Sequence, residues 1–319
     1  FIMTQYIIRR LISFIPTVFI SVTIIFIFTR MVPGNPVYSM VGVQGVSAEQ
    51  VDILIKQLGY DKPIFEQYIV WLGKIAHGDF GTSVFYKKPV IEVVLERFGV
   101  TLSLAGLSMI VTLIIAIPLG VLSATRHGSI IDSIVMIFST IGVSVPIFWL
   151  AFLLMIIFSV NLGWLPAAGY RPLSMGFESW IERLILPVLT LGIAQVALLV
   201  RHTRSNMLQV LESEYIITAR AKGLSEFSVI YKHGLRNAMV NIITVIGLTF
   251  ALGLGGTVLV ENVFALPGIG NLVTTAAIRR DYPVIEGGIA FVTLIALFTN
   301  LLVDISYTII NPKITYEEK

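Results

Sequence analysis

The chain has no cysteine, which removes disulfides, thiolate metal sites and cysteine nucleophiles together. It is also poor in charge. Only 13% of its 319 residues are Asp, Glu, Lys or Arg, about half the ~25% of soluble domains. No Gly-x4-Gly-Lys-[Ser/Thr] run occurs, so the chain lacks that device for cradling ATP phosphates. The Gly253-Leu254-Gly255-Gly256 run sits in an apolar stretch without the lysine. His77, His127, His202 and His233 have no metal-ligand spacing to one another, and no Ser/His/Asp set is placed for catalysis. A secreted disulfide scaffold, a disordered chain and an ordinary cytosolic enzyme are excluded by composition. A net charge of +3 is too small to argue for nucleic acid.

What is present is hydrophobic: 56% of the residues, with a mean hydropathy of +0.88. A helical span needs ~20 mostly apolar residues. Six charge-free runs qualify: 11–29, 98–125, 133–170, 184–200, 237–260 and 287–303. The third is too long for one helix, and Asn161, Gly163, Pro166 and Gly169 are expected to end a single span near 133–158. Six spans place both termini on one side. That side carries eleven Lys and Arg residues, against four in the short loops opposite, so both termini are expected in the cytoplasm. The first run exceeds the ~7–15 residues of a signal-peptide core and is read as a span. Pro16, Pro118, Pro146 and Pro187 fall in or beside spans, where neighbouring helices can satisfy the freed carbonyls. The fold class is therefore an all-α membrane protein: a tail and first span (1–32), an extracytoplasmic helical insert (33–97), a five-helix core (98–310) and a cytoplasmic tail (311–319).

In the insert, Ser47-Ala48-Glu49-Gln50 reads as a capping box whose helix stops near Leu58-Gly59. Asp61-Lys62-Pro63 opens a second helix with Phe65, Tyr68, Ile69 and Leu72 on one face. Gly78 to Ser83 is a turn, and Pro89 opens a third helix towards Arg97.

Residues 201–236 form an expected connection far longer than the ~2–8 residues common in helical bundles. It runs Glu214-Tyr215-Ile216-Ile217-Thr218-Ala219-Arg220-Ala221-Lys222-Gly223-Leu224, a helix with a glycine stop. Ser225 caps a second helix containing Phe227, Val229, Ile230 and His233. A helix–Gly–helix elbow with small residues at its bend can enter a groove on another protein.

This elbow resembles the coupling loop of ABC importer permeases. Thr218-Ala219-Arg220-Ala221-Lys222-Gly223-Leu224 and His233-Gly234-Leu235-Arg236-Asn237-Ala238 match the variant used by the dipeptide, oligopeptide and nickel branch. The general importer signature, Glu-Ala-Ala, three residues, Gly, nine residues, then Ile-x-Leu-Pro, is matched only in part, since its Glu, Ile and Pro are absent. The likeness extends through Gly78 to Ser83, Phe148-Trp149-Leu150-Ala151, Leu162 to Pro166, Glu261 to Phe264, Pro267 to Gly270, Arg280-Asp281-Tyr282-Pro283 and Asn300 to Asp304, ending on Asn311-Pro312-Lys313. The resemblance implies a non-enzymatic permease in the inner membrane, surrounded by lipid. Its partners would be a second homologous permease, two ATPase subunits carrying ATP and Mg, and an extracytoplasmic substrate-binding protein. No cofactor is expected on this chain, and the cargo is expected to be a short peptide or similar solute.

Gly247, Gly253, Gly255 and Gly256 in the fifth span are expected at helix contacts or along the translocation path. Asp304 is expensive in a span, and structural pairing is expected of it. Glu261 lies at the opposite end, where water contact is easy, and structural use is expected of it as well. The rival reading is a secondary transporter driven by an ion gradient, a class marked by internal repeats and midplane ionisable groups. Neither is visible here.

Overall fold

The computed structural model describes residues 2–31, 52–53, 55–56 and 59–310, with the side chains of 2–10, 304 and 306–310 outside that set. The expected capping box at Ser47 to Gln50, Leu58, the Asn311-Pro312-Lys313 ending and the side chain of Asp304 lie outside the described residues. Within them the chain is helical, and no strand forms beyond a lone antiparallel bridge of Thr82 with Pro89.

The helices are α1 (Ile2–Met31), α2 (Ile64–Ala76), α3 (Val90–Thr125), α4 (Ile130–Ser144), α5 (Ile147–Leu154), α6 (Phe177–Leu211), α7 (Glu214–Ala221), α8 (Arg236–Val263), α9 (Ile269–Arg279) and α10 (Tyr282–Ile310). Wider π-helical turns follow α5 over Met155–Asn161 and precede α8 over Ser228–Leu235. Among the described residues, five helical stretches are long and apolar enough to cross a membrane. The pair Ile130–Ser144 and Ile147–Asn161, bent by 105°, makes up to six if it is one span.

Three boundaries differ from the sequence expectation. The single span near 133–158 is two helices, because Pro146 supplies no amide hydrogen and its ring clashes with the preceding turn. Val145 before it is extended, at φ −79° and ψ 125°, as a residue preceding proline prefers. Pro16, Pro118 and Pro187, by contrast, lie inside helices. The boundary expected between insert and core at Arg97 is not a helix end. α3 starts after Pro89 and runs on, since Gly99 alone costs only ~1 kcal/mol in a helix. Finally, the connection expected from residue 201 starts later: Arg201 and Arg204 lie in α6, which ends at Leu211.

The chain divides into two compact units. The first holds Leu102–Leu266 with the two chain ends. Here small residues let helices approach closely, as packing in lipid requires. A Cβ on Gly120 would lie 2.5 Å from Thr203, and one on Gly142 2.8 Å from Ala197. Ser139 Oγ donates to the Ala197 carbonyl at 2.9 Å. Leu199, Met207, Ala238 and Ile242 are fully buried in its core.

The second unit comprises Ile15–Thr101 and Pro267–Ile295. Val90, Val93 and Val94 pack with Ile269, Leu272 and Val284. Gly287 lets α10 approach Val90 and Phe80, where a Cβ would come within 2.5 and 3.2 Å. The turn over Gly78–Ser83 belongs to this unit and is described below.

Candidate functional site: the elbow and its supports

α7 is a short helix with a glycine ending of definite geometry. The Gly223 amide donates to the Arg220 carbonyl at 2.9 Å, and the Leu224 amide to Ala219 at 3.4 Å. Gly223 is left-handed at φ 77°. These two bonds form a Schellman motif, which needs a residue tolerant of positive φ at this place. Ser225 Oγ then accepts from the Ser228 amide at 3.4 Å, so the second arm starts where the sequence indicates.

The elbow has its own core. Ile216, Ala219 and Val229 are buried together, with Val210 and Leu211 beneath them. Gly234 is buried where a Cβ would meet the Val229 carbonyl at 3.3 Å and Leu211 at 3.4 Å. Ala219 is 8% exposed, so its small size serves the inside of the elbow. This corrects its expected place on a docking face. Ala221, Lys222, Gly223 and Leu224 are exposed, as are Glu214, Tyr215 and Thr218. A Cβ on Gly223 would meet nothing within 4 Å. Arg220 pairs with Glu226 of the other arm at 2.9 Å. The outer surface also shows Tyr215, Ile217, Leu224 and Phe227, the last 73% exposed. A folded body with a filled interior and apolar side chains turned outward is suited to docking.

The base of the elbow continues into α6, which is pinned to the start of α4. The Asp132 carboxylate accepts from Arg204 Nε at 2.6 Å and Nη2 at 2.8 Å. It also accepts from Ser123 Oγ and from the Gly128 amide, the latter at 3.0 Å, while Ser129 caps α4. Sequence reading passed over this pair because its members stand 72 positions apart. The one available signal was an acidic residue beside a capping serine at the edge of an apolar run.

A second missed site joins two motifs that sequence similarity had flagged separately. Asp281 is buried; it accepts from Ser83 Oγ and from the Phe85 amide at 3.1 Å. Arg279 stacks on the Phe85 ring at 3.7 Å. Thus Gly78–Ser83 and Arg280–Pro283 are the two halves of one clasp.

The four glycines of α8 separate. A Cβ on Gly247 would come within 2.5 Å of Val303, one on Gly256 within 3.0 Å of Leu191, and one on Gly253 would collide with Gln195 Nε2. Gly255 is exposed, with nothing within 4 Å. Three positions therefore admit a neighbouring helix and the fourth faces open space. Thr112 Oγ1 donates to Gln195 Oε1 at 3.1 Å, inside the helical packing, while Gln195 Nε2 has no partner. Glu261 is 0% exposed, away from the water that a place at a span end would allow it to meet. Phe264 and Leu266, three and five residues beyond it, are buried as well.

An apolar helical chain of five to six candidate spans, broken at a proline and carrying a packed external elbow, defines a membrane permease. Its fold matches the inward-facing MetNI methionine ABC transporter, with a TM-score of 0.55, 17% identity, and coverage of 69% of this chain and 96% of that one. Residues 116–316 match the family described as "Binding-protein-dependent transport system inner membrane component", and residues 3–105 match its N-terminal region. The chain belongs to this family of ABC transport permeases and is an inner-membrane protein. It is 42% identical over 315 residues to a putative peptide transport system permease protein of Brucella abortus, covering 99% of this chain and all of that one (100%). The oligopeptide permease AppB of Bacillus subtilis is 42% identical over 98% of this chain and 100% of its own. The dipeptide permease DppB of Escherichia coli is 40% identical over 99% and 100%.

Proposed function

We propose that this chain forms half of the translocation path of an ATP-driven importer for short peptides. In this reading it crosses the membrane six times with both termini in the cytoplasm. A second, homologous permease supplies the other half, and an extracytoplasmic binding protein delivers the peptide. Two ATPase subunits hold ATP and Mg, and one of them docks on the elbow. Gly255, exposed on α8, is the glycine assigned to the path; Gly247, Gly253 and Gly256 are assigned to packing.

The observation that carries this reading is the elbow surface. Ile216, Ala219 and Val229 satisfy its interior, yet Tyr215, Ile217, Leu224 and Phe227 remain exposed. Exposed apolar side chains on a rigid body favour burial against a partner by ~25 cal/mol per Å². The peptide cargo is supported by what the relatives are named to carry.

The test is reconstitution with the ATPase subunits and binding protein, reading ATPase stimulation and peptide uptake. Ala221→Trp places bulk on the exposed face without touching the elbow core, and it should uncouple hydrolysis from uptake. Gly223→Trp should do the same. Arg220→Ala should leave uptake within about twofold, since an exposed ion pair contributes only ~0–1 kcal/mol. Full coupling in Ala221→Trp with normal assembly would remove the elbow as the docking site.

A further inference from the structure

The α2 helix divides into three faces. Tyr68 and Trp71 lie on α1: both rings meet the Phe26 ring, at 5.3 and 5.1 Å. Tyr68 Oη lies 2.7 Å from Thr23 Oγ1. Glu66, Gln67 and Lys74 form a polar side, with Val70 among them. Between the two runs an apolar stripe at helical spacing, Phe65, Ile69 and Leu72. Phe65 is 72% and Ile69 51% exposed, and none of the thirteen residues of α2 is buried. A water-borne insert would turn this stripe inwards.

The position of α2 along α1 says what covers it. Arg30 marks the charged end of α1, held by Glu286 at 2.8 Å, and Tyr60, just before α2, stacks on that guanidinium at 5.0 Å. Tyr68 and Trp71 instead touch Phe26 and Thr23, four and seven residues further in, about 6–10 Å deeper at ~1.5 Å per residue. At that depth α1 itself shows Ile20, Ile24, Ile27 and Phe28 to the outside. These are the lipid-facing residues of a candidate span. An amphipathic helix seated at a membrane interface buries its apolar face by ~5–10 Å, which is the depth found here. Trp71, packed on the Phe26 ring, has the amphipathic character of an interfacial anchor.

We propose that α2 is a lipid-seated interfacial helix: Phe65, Ile69 and Leu72 enter the acyl chains beside α1, while Glu66 and Lys74 stay at headgroup level. The occupant of the open stripe is the bilayer. This helix of the expected extracytoplasmic insert thereby lies in the membrane interface.

The absence of native cysteine makes the test direct. Single variants Phe65→Cys, Ile69→Cys and Glu66→Cys are prepared in the assembled transporter, in membranes opened by freeze–thaw. Phe65→Cys and Ile69→Cys should react with a charged maleimide about tenfold more slowly than Glu66→Cys, as acyl-chain burial excludes the reagent. A bimane fluorophore attached at position 65 should be quenched by phospholipids carrying a doxyl group high on the acyl chain. Equal reaction rates at the three positions would show a water-borne helix and overturn the proposal. Slow reaction without lipid quenching would show a protein cover and overturn it equally.

Discussion

Asp132 is the residue on which the first prediction turns. Its buried carboxylate is matched by the Arg204 guanidinium, a serine hydroxyl and a backbone amide. Removing one partner strands the other's charge, which costs about 3–5 kcal/mol, whereas replacing both by apolar residues is often neutral. Asp132→Ala should therefore lower the thermal midpoint of the purified complex strongly, and Asp132→Leu with Arg204→Met should recover most of it. A simple sum of the two single losses would show that the pair is not coupled. Ser83→Ala removes one donor from buried Asp281, an expected loss of about 1–3 kcal/mol. The same melting measurement checks it, with unchanged stability as the contrary result. At Gly223 the constraint is backbone, since φ is 77° and space is open. A β-branched residue there should cost about 1–2 kcal/mol; asparagine, which tolerates this region, should cost less. Coupled uptake should accordingly survive Gly223→Asn better than Gly223→Val.

Among elements, contact geometry decides more than composition. α8 meets α10 through Gly247 and Val303, where an added Cβ would come within 2.5 Å. Gly247→Ala should destabilise by the ~1–3 kcal/mol typical of overpacking. Val303→Ala in the same chain should relieve part of that, giving a favourable coupling energy in a double-mutant cycle. Strict additivity of the two changes in melting would mean that the helices do not meet there. The elbow repeats the lesson with alanines. Ala219 and Ala221 are two residues apart on α7, yet one packs inside and the other lies open. Ala219→Trp should unfold the elbow itself, visible as new protease cleavage near residues 212–227. Ala221→Trp should leave that cleavage pattern unchanged.

At the scale of the molecule, family membership runs over 3–105 and 116–316, and the relatives match along their full length. In the proposed assembly energy enters through the ATPase partners. Intact mass of the transporter should show one copy of this chain with two ATPase subunits and a second, different permease. Two copies of this chain would instead identify a homodimer.

Membrane residence, helical class and the elbow's place in the chain were legible in the sequence because they depend on local patterns. Apolar runs report the solvent they need, a small-residue helix ending on glycine reports its own turn, and the elbow motif reports the family. Proline was only half legible. Pro16, Pro118 and Pro187 ride inside helices while Pro146 breaks one, although every proline removes the same amide hydrogen. Pairings across long separations were decided by the tertiary structure alone. Asp132 found Arg204, Ser83 found Asp281, and Ala219 went inwards while Ala221 stayed out. A buried charge or hydroxyl is paid for only by a partner brought to it in space, and one-dimensional spacing carries no record of which partner that is.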